Sequence, residues 1–94
     1  MPEVINTGII GYGLSGRYFH APFLKVNQGF AVTKIVERHS QSALGLFPQA
    51  EIVDDYHKIA DDPTIELAVI TAPNIFHFAM AKDCLLAGKH IVIE

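Results

Sequence analysis

The stretch T7-GIIGYGLSGRYFHAPF-L24 decides how the chain is read, because an apolar run, Thr7 to Gly11, passes through Gly11, Gly13 and Gly16 into a helical pattern. Flexible residues sit where a strand stops and a helix starts. Either the turn is simply tight, or a ligand must come close to the backbone there.

The residues around the stretch narrow the choice. The spacing of Gly11, Gly13 and Gly16 is G-x-G-x-x-G. Alone that pattern is weak, since glycines fall so by chance. Its context is stronger: a strand before, a helix after, and an acidic residue, Glu37, about 20 residues on at the end of the next strand. In such a turn Gly11 lets the chain bend tightly. Gly13 leaves the backbone bare for a pyrophosphate, and Gly16 lets the helix pack on the strand. The helix start offers unpaired N–H groups and partial positive charge to the phosphates. Tyr12, Leu14 and Ser15 complete the turn, with Tyr12 and Leu14 placed to pack on either half of a dinucleotide or simply tolerated there. Glu37 would accept bonds from the adenosine ribose hydroxyls and repel a 2′-phosphate, favouring NAD. Arg38, helped by Ser40, could instead pair with that phosphate and favour NADP. The reading leans to NAD with NADP open.

Further along, F30-AVTKI-V36 is rich in β-branched residues and reads as strand two. Ser40 starts a short helix running to Phe47, where Pro48 stops it, and Ala50 to Val53 form strand three. Asp54 or Asp55 caps a helix carrying Tyr56 and Ile59 that ends before Pro63. Leu67 to Thr71 is an apolar run of the kind buried on both faces of a parallel sheet. Asn74 caps a helix from Ile75 to Ala87 with Met80, Ala81, Cys84 and Leu85 as its apolar stripe, while Lys82 and Asp83 point away. Gly88 closes it, and His90 to Glu94 is strand five. Strands and helices alternate with no hairpin signal. The expected fold is α/β: a Rossmann-type doubly wound parallel sheet of five strands in the order 3-2-1-4-5.

Composition excludes several classes. Half the residues are hydrophobic and only 18 % are charged, which is a folded composition. The net charge of −3, with basic residues scattered, argues against a nucleic-acid partner. No apolar run reaches the ~18 residues of a membrane span, and no secretory signal opens the chain, so a cytoplasmic protein is expected. A lone Cys84 and scattered histidines give neither a disulfide nor metal-ligand spacing, and no serine has the partners of a hydrolase triad.

With these motifs in place, the chain resembles the N-terminal domain of the Gfo/Idh/MocA oxidoreductases, the glucose-fructose oxidoreductase and inositol dehydrogenase group. The resemblance runs from about Asn6 to Glu94 and rests on GIIGYGLSG, the acidic end of strand two, TAPNIFH and AGKHIVIE. The family has T-P-x-x-x-H at the end of strand four; here Thr71, Pro73 and His77 match it, with Ala72 standing between threonine and proline. Ala87, Gly88, Lys89 and His90 match A-G-K-H, and Glu94 matches the first letter of E-K-P.

The resemblance implies an NAD(P)-dependent oxidoreductase moving hydride to or from a hydroxyl-bearing carbon of a sugar or cyclitol. It implies that the loop Thr71, Ala72, Pro73 and Asn74, with His77 and Glu94, lines the nicotinamide side. Asn74 is also a good helix cap, and His77 could equally fill space against a backbone carbonyl. The family's catalytic lysine would directly follow Glu94, so no catalytic residue is expected among residues 1–94. These form one dinucleotide-binding domain of a longer protein, inactive alone, whose C-terminal substrate domain would also carry homo-oligomer contacts. The rival from another class is an NAD(H)-sensing module without catalysis.

Overall fold

In the computed structural model the described residues are 4–11, 29–37, 47–71, 75 and 77–93. They form β1 (Ile5–Ile10), β2 (Phe30–Val36), β3 (Glu51–Val53), α1 (His57–Ala60), β4 (Leu67–Ile70), α2 (His77–Leu86) and β5 (His90–Ile93). The sheet is wholly parallel, in the order β3-β2-β1-β4-β5. The expected helices after Ser15 and Ser40 lie outside the described residues, apart from Phe47.

The strands form where the sequence supplies short apolar runs. Ile9, Ile10, Ile35, Ala68, Val69 and Ile70 are buried, as a sheet covered on both faces requires. On one face Ile10, Val36, Val53, Ala68 and Ile70 pack under Ile59 and Ala60 of α1 and Cys84 of α2. On the other, Ile9, Ile35 and Val69 cluster with Phe47 and Ala50. β1 starts two residues earlier than its apolar pattern suggests, because Ile5 and Asn6 still pair with Phe30 and Ala31.

β2 departs from simple alternation. The β1–β2 register jumps from Thr7↔Val32 to Gly8↔Lys34, so Thr33 is an extra residue in the strand. Strict alternation would have put Lys34 on the side of Phe30 and Val32, in the second cluster. The bulge turns it to the α1 face instead. There Nζ lies 2.9 Å from Asp62 Oδ2 and donates to the Lys58 carbonyl. The bulge leaves the Thr33 hydroxyl buried without a hydrogen-bond partner.

Asp62 is the hub of this corner. Its Oδ1 accepts from the Thr64 hydroxyl at 2.7 Å and the Thr64 amide at 2.8 Å. The Thr64 hydroxyl bond, then Lys34, lower the carboxyl from 3.8 to about 2. A lowered folded-state value means the unfolded chain takes up its proton first. The resulting stability is fully present above 3.8 and is lost as pH falls through about 2. Thermal melts between pH 5 and pH 2 should therefore fall less steeply for Asp62→Asn than for the wild type. Identical slopes would remove Asp62 as the source.

α2 differs from its expected outline. It runs from His77 to Leu86, and Ile75 ahead of it is exposed. Cys84 is fully buried and Met80 and Ala81 pack beside it, but Leu85 is 56 % exposed. One step around a helix is about 100°, so with Cys84 facing the sheet Leu85 stands on the flank. Asp83, expected to face solvent, is still 37 % exposed but reaches across to accept from the Tyr56 hydroxyl at 2.5 Å. That bond and burial push the tyrosine up to about 12. It ties α2 to the start of α1, where Asp55 Oδ1 accepts the His57 amide at 2.9 Å.

The end of α2 follows the glycine rule. Gly88 has φ 83°, its amide donates to Leu85 and that of Lys89 to Cys84, the paired bonds of a Schellman cap. Lys89 then turns inward. Its buried ammonium donates to the carbonyls of Asp62 at 2.7 Å and Ile65 at 2.8 Å, fastening the α1–β4 loop beneath β5.

Candidate functional site

In this strand order β1 leads outward to β2 on one side, and the chain later returns to β4 on the other. The carboxyl ends of β1 and β4 therefore border the switch point, where open α/β sheets bind ligands. Gly11 and Thr71 stand there side by side, each just past the paired residues Ile10 and Ile70.

Gly11 has φ 88°, a backbone region that a Cβ disfavours. The turn out of β1 thus has a conformational reason for glycine. Its amide donates to the Val36 carbonyl at 3.2 Å, bracing it against the end of β2. Next to that point Glu37 follows β2, half-buried, with its amide donating to Val53 at 3.2 Å. The Thr71 amide donates to the Ile10 carbonyl at 2.9 Å, and its hydroxyl reaches the carbonyls of both Ile10 and Gly11. His77 is half-buried in the first turn of α2.

The fold thus brings Gly11, Glu37, Thr71 and His77 to the carboxyl end of the sheet. Tyr12, Gly13, Leu14, Ser15, Gly16, Arg38, Ala72, Pro73, Asn74 and Glu94 lie outside the described residues. Among the described residues no group of three or more histidine, cysteine or acidic side chains could hold a metal ion, and no helix is long and apolar enough to cross a membrane.

The residues present fit a dinucleotide. A glycine in the positive-φ region ends β1, and a carboxylate ends the neighbouring strand at the distance in sequence expected for a ribose partner. Reasoning from sequence missed what the Thr71 hydroxyl does. The signal was only a hydroxyl residue ending the strand beside the glycine turn.

A Rossmann-type nucleotide-binding domain is the class that this sheet order and this turn define. The chain belongs to the family described as "Oxidoreductase family, NAD-binding Rossmann fold", the Gfo/Idh/MocA oxidoreductases, whose sequence model matches residues 5–94. Its cofactor is accordingly a nicotinamide dinucleotide. It is 40 % identical over 98 % of its length to scyllo-inositol 2-dehydrogenase (NADP(+)) IolW of Bacillus subtilis, covering 26 % of that protein. The oxidoreductase YdgJ of Escherichia coli is 35 % identical over the whole chain, which covers 27 % of it. An oxidoreductase structure from Bacteroides fragilis superposes with a TM-score of 0.93 at 41 % identity, over 97 % of this chain and 28 % of the other. The chain spans about a quarter of the length of these relatives.

Proposed function

We propose that residues 1–94 are the dinucleotide-binding domain of an NAD(P)-dependent oxidoreductase that, as a whole protein, moves hydride between nicotinamide and a hydroxyl-bearing carbon of a sugar or cyclitol. The observation that carries the reading is the junction of the Gly11 turn and the Thr71 strand end at the switch point. The named activity of the inositol-oxidising relative supports the substrate class.

In this reading Gly11, Tyr12, Gly13, Leu14, Ser15 and Gly16 receive the pyrophosphate at the helix start. Glu37, with Arg38 beside it, meets the adenosine ribose. Thr71, Ala72, Pro73, Asn74, His77 and Glu94 form the nicotinamide side. When bound, the nicotinamide supplies the hydride chemistry; the protein binds, orients and excludes water. The rest of the protein supplies the substrate walls, the proton-transfer groups and the contacts of a homo-oligomer.

The relative's name carries NADP(+), whereas Glu37 at the ribose position opposes a 2′-phosphate. We take the carboxylate to prevail, with NADH binding tighter than NADPH. Fluorescence titration of the chain with both cofactors tests this. Glu37→Ser should narrow or reverse the preference, since it removes the repulsion and leaves Arg38 to pair with the phosphate. A wild-type preference for NADPH would overturn the assignment to NAD. Binding of neither would overturn the dinucleotide reading.

A further inference from the structure

We propose that Thr71 is a positioning residue whose side chain holds the glycine turn from behind, so that dinucleotide affinity depends on its hydroxyl through Gly11. The inference rests on the dinucleotide reading above but concerns a different atom. The resemblance had placed Thr71 among the residues that line the cofactor.

A threonine hydroxyl has one proton to donate. Here Oγ1 lies 3.2 Å from the Ile10 carbonyl oxygen and is also bonded to the Gly11 carbonyl oxygen. That proton is therefore committed to the β1 strand end as a three-centre bond. The Thr71 amide is committed there too, to Ile10 at 2.9 Å. Both donors of one residue close on two successive carbonyls of the neighbouring strand.

Gly11 needs such a hold. Glycine takes φ above zero about as readily as below it, so the residue itself does not select the 88° observed. Its conformation is chosen by the groups that bond its two ends. The amide is fixed by the Val36 carbonyl of β2, and the carbonyl by the hydroxyl of Thr71, just past the end of β4. The turn is thereby braced from both flanking strands. β-Branching limits the rotamers open to Thr71, so the hydroxyl is held in place at little cost in side-chain entropy. The residue after Gly11 begins the turn that would meet the pyrophosphate, and a misplaced turn loses several backbone contacts at once.

The test is a three-member series read in two ways. Thr71→Val keeps the shape and removes the hydroxyl; Thr71→Ser keeps the hydroxyl and removes the methyl. NADH titration should give a dissociation constant about tenfold higher for the valine variant, the scale of one lost hydrogen bond. Serine should stay within about threefold of the wild type. In the nucleotide-free chain, hydrogen exchange at the Gly11 amide should speed up in the valine variant but not in the serine variant. The amides of Ile9 and Val69 in the strand centres should be unaffected in both. A valine variant that binds as the wild type does and keeps Gly11 protected would overturn the proposal. So would a serine variant as weak as valine. Failure of the wild type to bind NADH or NADPH would instead sink the dinucleotide reading, with the exchange rates still deciding whether Thr71 holds the turn.

Discussion

Gly11→Val is expected to abolish dinucleotide binding while leaving a folded chain. The native residue sits at φ 88°. For a β-branched side chain that region costs about 1–3 kcal/mol, so the chain would relieve the strain by moving the turn. Movement breaks the amide bond to Val36 or the carbonyl bond from Thr71, because both are drawn to this one residue. Either loss swings the chain leading to Gly13 and Gly16 away from the strand end. Titration with NADH should show at least a ~100-fold weaker complex, the sum of lost backbone contacts and a disordered approach. Thermal melting of the same variant separates loss of the turn from loss of the fold. Among the described residues the two buried clusters are built from the strands, the two helices and the segment around Phe47 and Ala50, and Gly11 belongs to neither, so the transition should stay cooperative. A valine variant that binds NADH within threefold of the wild type would remove the turn from the site.

The same turn was legible in the sequence for a physical reason. Parallel strands buried on both faces appear as short β-branched runs, and the residue that ends the first of them must tolerate a positive φ. Gly11, Glu37, Thr71 and His77 accordingly stand at one end of the sheet, as a strand–turn–helix reading places them. What the sequence did not disclose is direction. Lys34 lies in a run whose alternation puts it with Phe30 and Val32, and only the register jump at Thr33 turns it to Asp62. Asp83 appeared as a solvent-facing charge because its partner, Tyr56, lies on a separate element. The orientation of Thr71 is likewise a consequence of how β1 and β4 align. With Ile10 opposite Ile70, the next residue on each strand meets across the gap, and a hydroxyl there reaches a carbonyl. Pairing register is a long-range property, so local pattern does not carry it.

A second large effect, on stability, should come from a glycine with no part in the turn. Gly8 lies in the middle of β1, paired with Lys34 on one side and Ala68 on the other, and Ile59 of α1 packs directly onto it. A Cβ built there would lie 2.6 Å from Ile59 Cγ2 and 3.0 Å from Cδ1 and Cγ1. Ile59 is fully buried in the same cluster as Ile10, Val53 and Ile70, so it has little room to withdraw. The helix would have to lift, loosening the contact of α1 with the sheet. Gly8→Ala should therefore destabilise the chain by about 1–3 kcal/mol through overpacking, and Gly8→Val by more. Urea unfolding of the single variants measures the loss. The diagnostic step is the pair with Ile59→Ala. That change alone should cost about 2–5 kcal/mol by opening a cavity. Combined with Gly8→Ala it removes the three Ile59 atoms nearest the new methyl, so the double variant should be more stable than the sum of the two losses predicts. Strict additivity would mean that Gly8 is required by something other than the approach of Ile59, and close helix-on-strand packing would no longer explain the glycine.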